Sequence, residues 1–566
     1  MRKNASQSWR RSCVLGTLFF SSLLFSSCTK EETTLLPEPD TPTEVVQVIK
    51  LGKKMDNPYS VSLMREANKE LVAEKAFAPT KTPSETIVTT HLYVRFLPSS
   101  LDELYLLTDS LNLMLFDHCL TYEIEQEGEY YHDPSIPEDQ ITWQYTTVEA
   151  NFNFPKVQYE VIEECYIPDD REYEKNTHLA MLEERALRNA GYLEMLERRG
   201  SVEAENSTKG ISLERPTGTI LFQDPNRGDA SVAAKGLTVR CWVGAKIGRG
   251  VTNEEGFYKC SERFRVGPYY RLYFYRDNDW SIKHNTISLM VAKNIGLGYH
   301  NKDGYDKTFT AARDKDDIPF CIVSTAAHDY FKWCDENNIL KPPTELRIWA
   351  ASFWKGGSAP MLKRGVSAWY TGPNSDGWRY NFDYLGYANN AVSVYNTLTN
   401  WVPDITLNNK VGPKDTTLYR TTLHELAHAS HFRKVGVSYW SKYASYITSC
   451  YIDNTPSVYG DASRPNAGYC GIGEMWGYYI GGMLAAKEYN NEDWHEDVGW
   501  FRPGILRQLG SNALINRPRL NNPLTEKQIF DCLTSDITNH TLLRNRLIQR
   551  YGRQQEITAV FTHFGF

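Results

Sequence analysis

The sequence predicts a multidomain α+β protein, and three observations predict it. At 566 residues and 41% hydrophobic content the chain can build several separate cores. Short β-like runs separated by turns fill the middle of the chain. Helical patterns dominate the last third.

The elements follow in order. Arg2, Lys3, Arg10 and Arg11 precede an apolar run from Val14 to Phe25, too short to span a bilayer as a stable helix. Residues 1–28 therefore read as a targeting segment. Its ending, Leu24-Phe25-Ser26-Ser27-Cys28, resembles a bacterial lipobox, which implies lipidation of Cys28. Thr29-Lys30-Glu31-Glu32 resembles the acidic export signal of Bacteroidetes surface lipoproteins. The stretch 29–48, rich in Pro, Thr and Glu, reads as a tether.

Residues 49–198 are expected to form an N-terminal α+β domain. Ser60 to Ala76 and Leu179 to Leu196 have helical patterns, and His91 to Phe96 alternates like a strand. A polar linker, 199–214, follows. Within 215–285 the runs Thr219–Phe222, Leu237–Trp242, Gly256–Cys260 and Tyr270–Phe274 predict a small β-sandwich. Its turn Thr252-Asn253-Glu254-Glu255-Gly256-Phe257 resembles that of carboxypeptidase-regulatory-like domains, which implies a transthyretin-like sandwich without catalytic residues. Residues 286–566 should carry the chemistry. Pro319 to Asn337 reads as a helix opened by proline, and Leu346 to Ala351 and Gly365 to Tyr370 as strands. Thr525 to Leu533 and Leu542 to Tyr551 read as helices.

His424-Glu425-Leu426-Ala427-His428 lies in a stretch, Leu418 to Phe432, that contains neither Pro nor Gly and is stopped by Gly436. Residues four apart share a helix face, so His424 and His428 can aim two imidazoles at one ion. Glu425, one step round, can take a proton from a water on that ion. A catalytic zinc usually takes three protein ligands. His431 lies about 10 Å along the axis from His424, too far to join both histidines on one ion. It is expected beside the site or at the surface. Glu474 is the better third ligand. It is the one carboxylate in the first half of an apolar helix running to about Lys487, where burying it calls for a cation. Asp461 is the reserve.

His424, Glu425 and His428 followed by Glu474 on a later helix resemble the gluzincin branch of zincin metallopeptidases. The metzincin pattern is not met, because His431 and Lys434 stand where its Gly and last His belong. The resemblance implies a zincin-like catalytic domain with one Zn2+ on His424, His428 and Glu474, and Glu425 as general base. Thermolysin-like members carry an Asp four residues after the ligand Glu, whereas this chain has Tyr478. The partner that orients the ligands is therefore unassigned. Tyr459, Tyr469, Tyr478 and His495 all qualify as oxyanion stabiliser.

A net charge of -7 without a basic stripe argues against nucleic acid. No apolar run after Phe25 reaches membrane-spanning length, so membrane attachment is expected through lipid alone. Beyond Cys13 and Cys28, nine cysteines remain without a C-x-x-C, and export permits the pairs Cys241–Cys260 and Cys450–Cys470. The leading expectation is an envelope lipoprotein of the outer membrane, facing the surface, that hydrolyses peptide bonds in protein or peptide substrates, glycosylated ones included. The alternative is a lipid-anchored receptor for proteins or glycans with a structural or vestigial zinc. A zinc hydrolase acting on a non-peptide bond is the third.

Overall fold

A computed structural model describes residues 48–74, 87–137, 140–169, 172, 177–199, 212–284, 292–352, 356–366, 403–410, 416–452, 457, 459–490, 494 and 497–566. The expected lipidation site Cys28, residues 29–47 of the tether, and His495 lie outside them.

The N-terminal region mixes sheet and helix. Its strands are β1 (Lys50–Lys54), β2 (His91–Leu97), β3 (Tyr122–Gln126), β4 (Gln144–Glu149) and β5 (Gln158–Cys165). Its helices are α1 (Val61–Ala73), α2 (Leu101–Tyr105), α3 (Thr177–Asn189) and α4 (Tyr192–Arg198). β1 pairs with β3, and β2 is the centre of a sheet ordered β4-β2-β5. The Ser60 hydroxyl starts α1 by accepting from the Leu63 amide. One helix was expected over 179–196, but the chain breaks at Gly191, whose φ of 78° an α-helix cannot contain.

Two four-stranded sheets follow. They are built from β6 (Thr217–Asp224), β7 (Ala230–Ala233), β8 (Thr238–Val243), β9 (Lys246–Val251), β10 (Phe257–Lys259) and β11 (Tyr269–Tyr273). Later in the chain come β12 (Tyr275–Arg276), β13 (Trp280–Lys283), β14 (Asn294–Tyr299) and β15 (Lys307–Phe309). One sheet is ordered β10-β6-β15, with β7 also on β6, and the other β14-β11-β8-β9. Alternate residues of β6, among them Ile220 and Phe222, point into the core. At the turn before β10, Asn253 Oδ1 accepts from the amides of Glu255 and Phe257. Glu183 of α3 is buried against Arg265 and Lys246, tying the N-terminal helices to these sheets.

β12 and β13 belong to a further sheet, ordered β12-β13-β16-β17, with β16 (Leu346–Ala350) and β17 (Ile405–Leu407). β13, β16 and β17 run parallel. The segment from Gly356 to Met361 then returns antiparallel along β17, with reciprocal bonds between Ser358 and Thr406. In the expected strand from Gly365, Gly365 closes a 3-10 turn at φ 76°, and residues 367–370 lie outside the described residues.

The remainder is largely helical. It contains α5 (Ile318–Glu336), α6 (Thr417–Val435), α7 (Val437–Ile452), α8 (Ala467–Tyr489), α9 (Gly504–Leu509), α10 (Glu526–Cys532), α11 (His540–Tyr551) and α12 (Gln554–His563). α6 packs on α5, α7, α8 and β17. One continuous core runs from α1 through the paired sheets to α12. Together these elements make a multidomain α+β architecture consistent with a zincin-like catalytic fold. Among the described residues no helix is long and apolar enough to cross a membrane.

Candidate metal centre

α6 carries Leu423, Leu426, Ala427 and Ala429 into the core, and the same burial encloses His424, Glu425 and His428. Ligand-type atoms of these three residues all lie within 4.8 Å of one another. This arrangement matches the H-E-x-x-H motif of zinc metalloproteases.

α8 crosses α6 closely and brings in Glu474. Its Oε2 lies 3.4 Å from His424 Nε2, and its Oε1 lies 3.6 Å from His428 Nε2. The approach depends on glycine: Gly473, Gly477 and Gly481 recur every fourth residue on one face of α8. A Cβ on Gly477 would stand 2.8 Å from His428 Cε1, and one on Gly481 would stand 3.1 Å from His424 Cβ. Glu474 is fully buried and accepts a hydrogen bond from the Tyr443 hydroxyl of α7. Tyr443 stacks on Trp440, and both rings also contact the His428 imidazole.

Burial favours the neutral form of His424, and the neighbouring histidines favour the ionised form of Glu474. Burial, with His428 beside it, lowers the His424 pKa to about 4. Burial alone would raise Glu474, but the neighbouring His428 and His424 outweigh it and hold the carboxyl well below its usual range. That is the protonation state a divalent cation requires.

The His424–Glu474 distance is compatible with two ligands of one metal ion, and the 3.6 Å between Glu474 Oε1 and His428 Nε2 is longer. Donor atoms bound tetrahedrally at about 2.0–2.1 Å lie roughly 3.3–3.4 Å from each other, whereas a charge-assisted hydrogen bond closes to about 2.7–2.9 Å. The His424–Glu474 separation of 3.4 Å sits at the first value. Neither His424 Nε2 nor His428 Nε2 has a hydrogen-bond partner among the described residues.

The other residues singled out in the sequence are placed as follows. His431, expected beside the site or at the surface, is fully buried against Tyr439 and Trp440, and its pKa is lowered by burial to about 3. Asp461 is exposed and bonds Ser463 in its own loop. Tyr478 sets its ring edge-on to His424, centroids 4.5 Å apart, and its hydroxyl is 3.3 Å from that of Tyr459. Tyr469 accepts from Lys442 instead. Sequence reasoning missed Tyr443, which sits on a helix without a motif, and the glycine face of α8, which was legible as a four-residue repeat. It also missed Gly357, where a Cβ would lie 2.6 Å from Glu425 Oε1.

The second acidic and histidine group among the described residues is Glu254, His328 and Asp329. It already holds ammonium groups: Lys235 lies 2.8 Å from Asp329, and Lys332 lies 3.0 Å from Glu254. Comparisons with protein-family models, with curated proteins and with solved structures each return no match.

Proposed function

We propose that the chain is a zinc-dependent peptidase of the bacterial cell envelope with a gluzincin-type site. The observation that carries this reading is the H-E-x-x-H helix with the Glu474 carboxylate beside it, Oε2 3.4 Å from His424 Nε2 and Oε1 3.6 Å from His428 Nε2, on helices that the glycines of α8 let approach. His424, His428 and Glu474 would hold the ion, and Glu425 would be the general base. Zinc bound there would acidify a water and polarise a carbonyl. Glu425 would take the proton of the attacking water on a carboxylate oxygen and return it to the leaving amine.

The segment Gly356–Met361 passes over Glu425, as the tight contact at Gly357 records, and is itself paired with β17. An extended peptide laid along this segment would present its scissile bond to Glu425, a form of strand addition. The transthyretin-like reading of the paired sheets belongs to this proposal, as does the N-terminal limit 49–198, whereas the limit expected between 215–285 and 286–566 falls inside shared sheets. Strands on both sides of 285 share sheets, since β14 pairs with β11 and β15 with β6. Anchoring through lipid on Cys28 rests on the lipobox-like Leu24–Cys28 and the Thr29–Glu32 segment. Labelling of the intact protein by palmitate, lost in Cys28→Ala, would support it.

The test is zinc content together with cleavage of a mixed protein substrate, with and without chelator. Glu425→Gln should keep zinc and lose about 10²–10⁴-fold in cleavage rate. Bound zinc without chelator-sensitive cleavage would reject the peptidase and favour a lipid-anchored receptor.

A further inference from the structure

The Glu474 carboxylate owes its orientation to α7. Tyr443 donates its hydroxyl proton to Oε1, which leaves Oε2 facing His424 Nε2 at 3.4 Å. The Tyr443 ring is itself held on two sides. It stacks on Trp440 with centroids 4.5 Å apart and planes 21° apart. On the other side α8 presents Gly473, where a Cβ would lie 3.2 Å from the ring. Trp440 is fixed in turn, because its Nε1 donates to the Ala359 carbonyl at 2.9 Å. Ala359 belongs to the segment that passes over Glu425.

We propose that Tyr443 is a positioning residue of the metal centre: its hydroxyl selects Glu474 Oε2 as the ligand atom and fixes the carboxylate plane before an ion binds. The proposal rests on the reading of His424, His428 and Glu474 as ligands. A carboxylate free to turn about its last bond must lose that freedom on binding metal. A donor already on one oxygen removes the cost, and partners of this kind are worth roughly 10–100-fold in metal affinity. The aromatic stack makes the donor itself rigid. Through Trp440 the same plate also touches the segment assigned to substrate.

The experiment measures zinc affinity of the metal-free full chain by competition with a chromophoric chelator, together with the visible spectrum of the cobalt-substituted protein. Tyr443→Phe keeps the ring and its stack. It should weaken zinc binding roughly 10–100-fold and alter the cobalt bands. Tyr439→Phe removes a buried hydroxyl on the same helix, one bonded to the Ile537 carbonyl, and should leave zinc affinity as in wild type. In a Glu474→Gln background, Tyr443→Phe should add little further loss, since the hydroxyl acts through that carboxylate. If Tyr443→Phe does not fold, Tyr443→Met fills the space without a donor and gives the same readout. Wild-type affinity in Tyr443→Phe, an equal loss in Tyr439→Phe, or full additivity in the Gln background would each overturn the proposal. Those results leave the peptidase reading standing. A wild-type chain that takes up no zinc overturns both.

Discussion

A methyl group placed on Gly477 would stand 2.8 Å from Cε1 of His428, a residue on the neighbouring helix. The same methyl would meet His424 Cε1 at 2.9 Å. Both imidazoles are therefore packed against bare backbone of α8, within a turn of Glu474. In Gly477→Ala, helix propensity gains about 1 kcal/mol, but overpacking costs about 1–3 kcal/mol because the facing rings have nowhere to retreat. The variant should bind zinc at least about ten-fold more weakly, because a ligand-ring shift of even a few tenths of an ångström degrades the geometry. Calorimetric titration of zinc into the metal-free protein checks this. Unchanged affinity would mean that the helices separate freely.

Gly357 plays the matching part on the opposite side of Glu425. A Cβ there would lie 2.6 Å from Glu425 Oε1 and would also run into Thr421. Gly357→Ala should therefore displace either the general base or the overlying segment while sparing the zinc ligands. Turnover should fall by roughly 10²-fold, the scale expected for a misplacement of about 1 Å, with zinc content unchanged. Loss of zinc along with activity would show that the substitution disturbs α6 as a whole.

The chain should be destabilised by mild acid through His540. This residue is buried, donates from Nε2 to the Phe501 carbonyl and stacks on Phe566. Burial lowers its pKa to about 4, against about 6.5 when unfolded. Below pH 6.5 the unfolded chain takes up a proton that the folded chain refuses. The stabilisation is thus fully present above pH 6.5 and is lost progressively as pH falls towards 4. At pH 5 the loss from this one group amounts to about 2 kcal/mol. Denaturant unfolding at pH 7 and pH 5 should show a smaller difference in His540→Gln than in wild type. Equal differences would place the acid sensitivity elsewhere.

Cys241 on β8 and Cys260 beyond β10 face each other between the two sheets, both buried, with Sγ atoms 3.1 Å apart. A chain exported to an oxidising compartment should join them, closing a loop whose constraint is worth about 3 kcal/mol. Alkylation in denaturant should leave this pair unmodified until reductant is added, with the intact mass lighter by two hydrogens. Full alkylation without reductant would show that the pair stays as thiols in the mature protein.

The sequence displays these features unevenly, for physical reasons. The H-E-x-x-H spacing lies within one helical turn, so local periodicity reveals it. Glu474 stood out because an isolated carboxylate in an apolar helix is costly to bury. Its 3.4 Å distance to His424, however, depends on a crossing between helices fifty residues apart. Tyr443 could not be picked out, because one tyrosine among 35 carries no signal until its neighbour in space is known. The break at Gly191 is marked in the sequence only by one glycine in the uncharged stretch Asn189–Leu193, and a single glycine inside a helical pattern can equally be tolerated, so only its φ of 78° decides. The assignment of β12 and β13 to the sheet beneath α6, rather than to the two preceding sheets, depends on parallel pairing with β16. Short strands of similar composition do not encode that choice.

Anomalous diffraction at the zinc edge, from crystals of the zinc-loaded protein, tests the central claim most directly. The predicted result is a strong peak bounded by His424 Nε2, His428 Nε2 and Glu474 Oε2, at about 2.0–2.2 Å from each. A peak elsewhere, for instance among Glu254, His328 and Asp329, or a density map with no peak at the H-E-x-x-H helix, would contradict it.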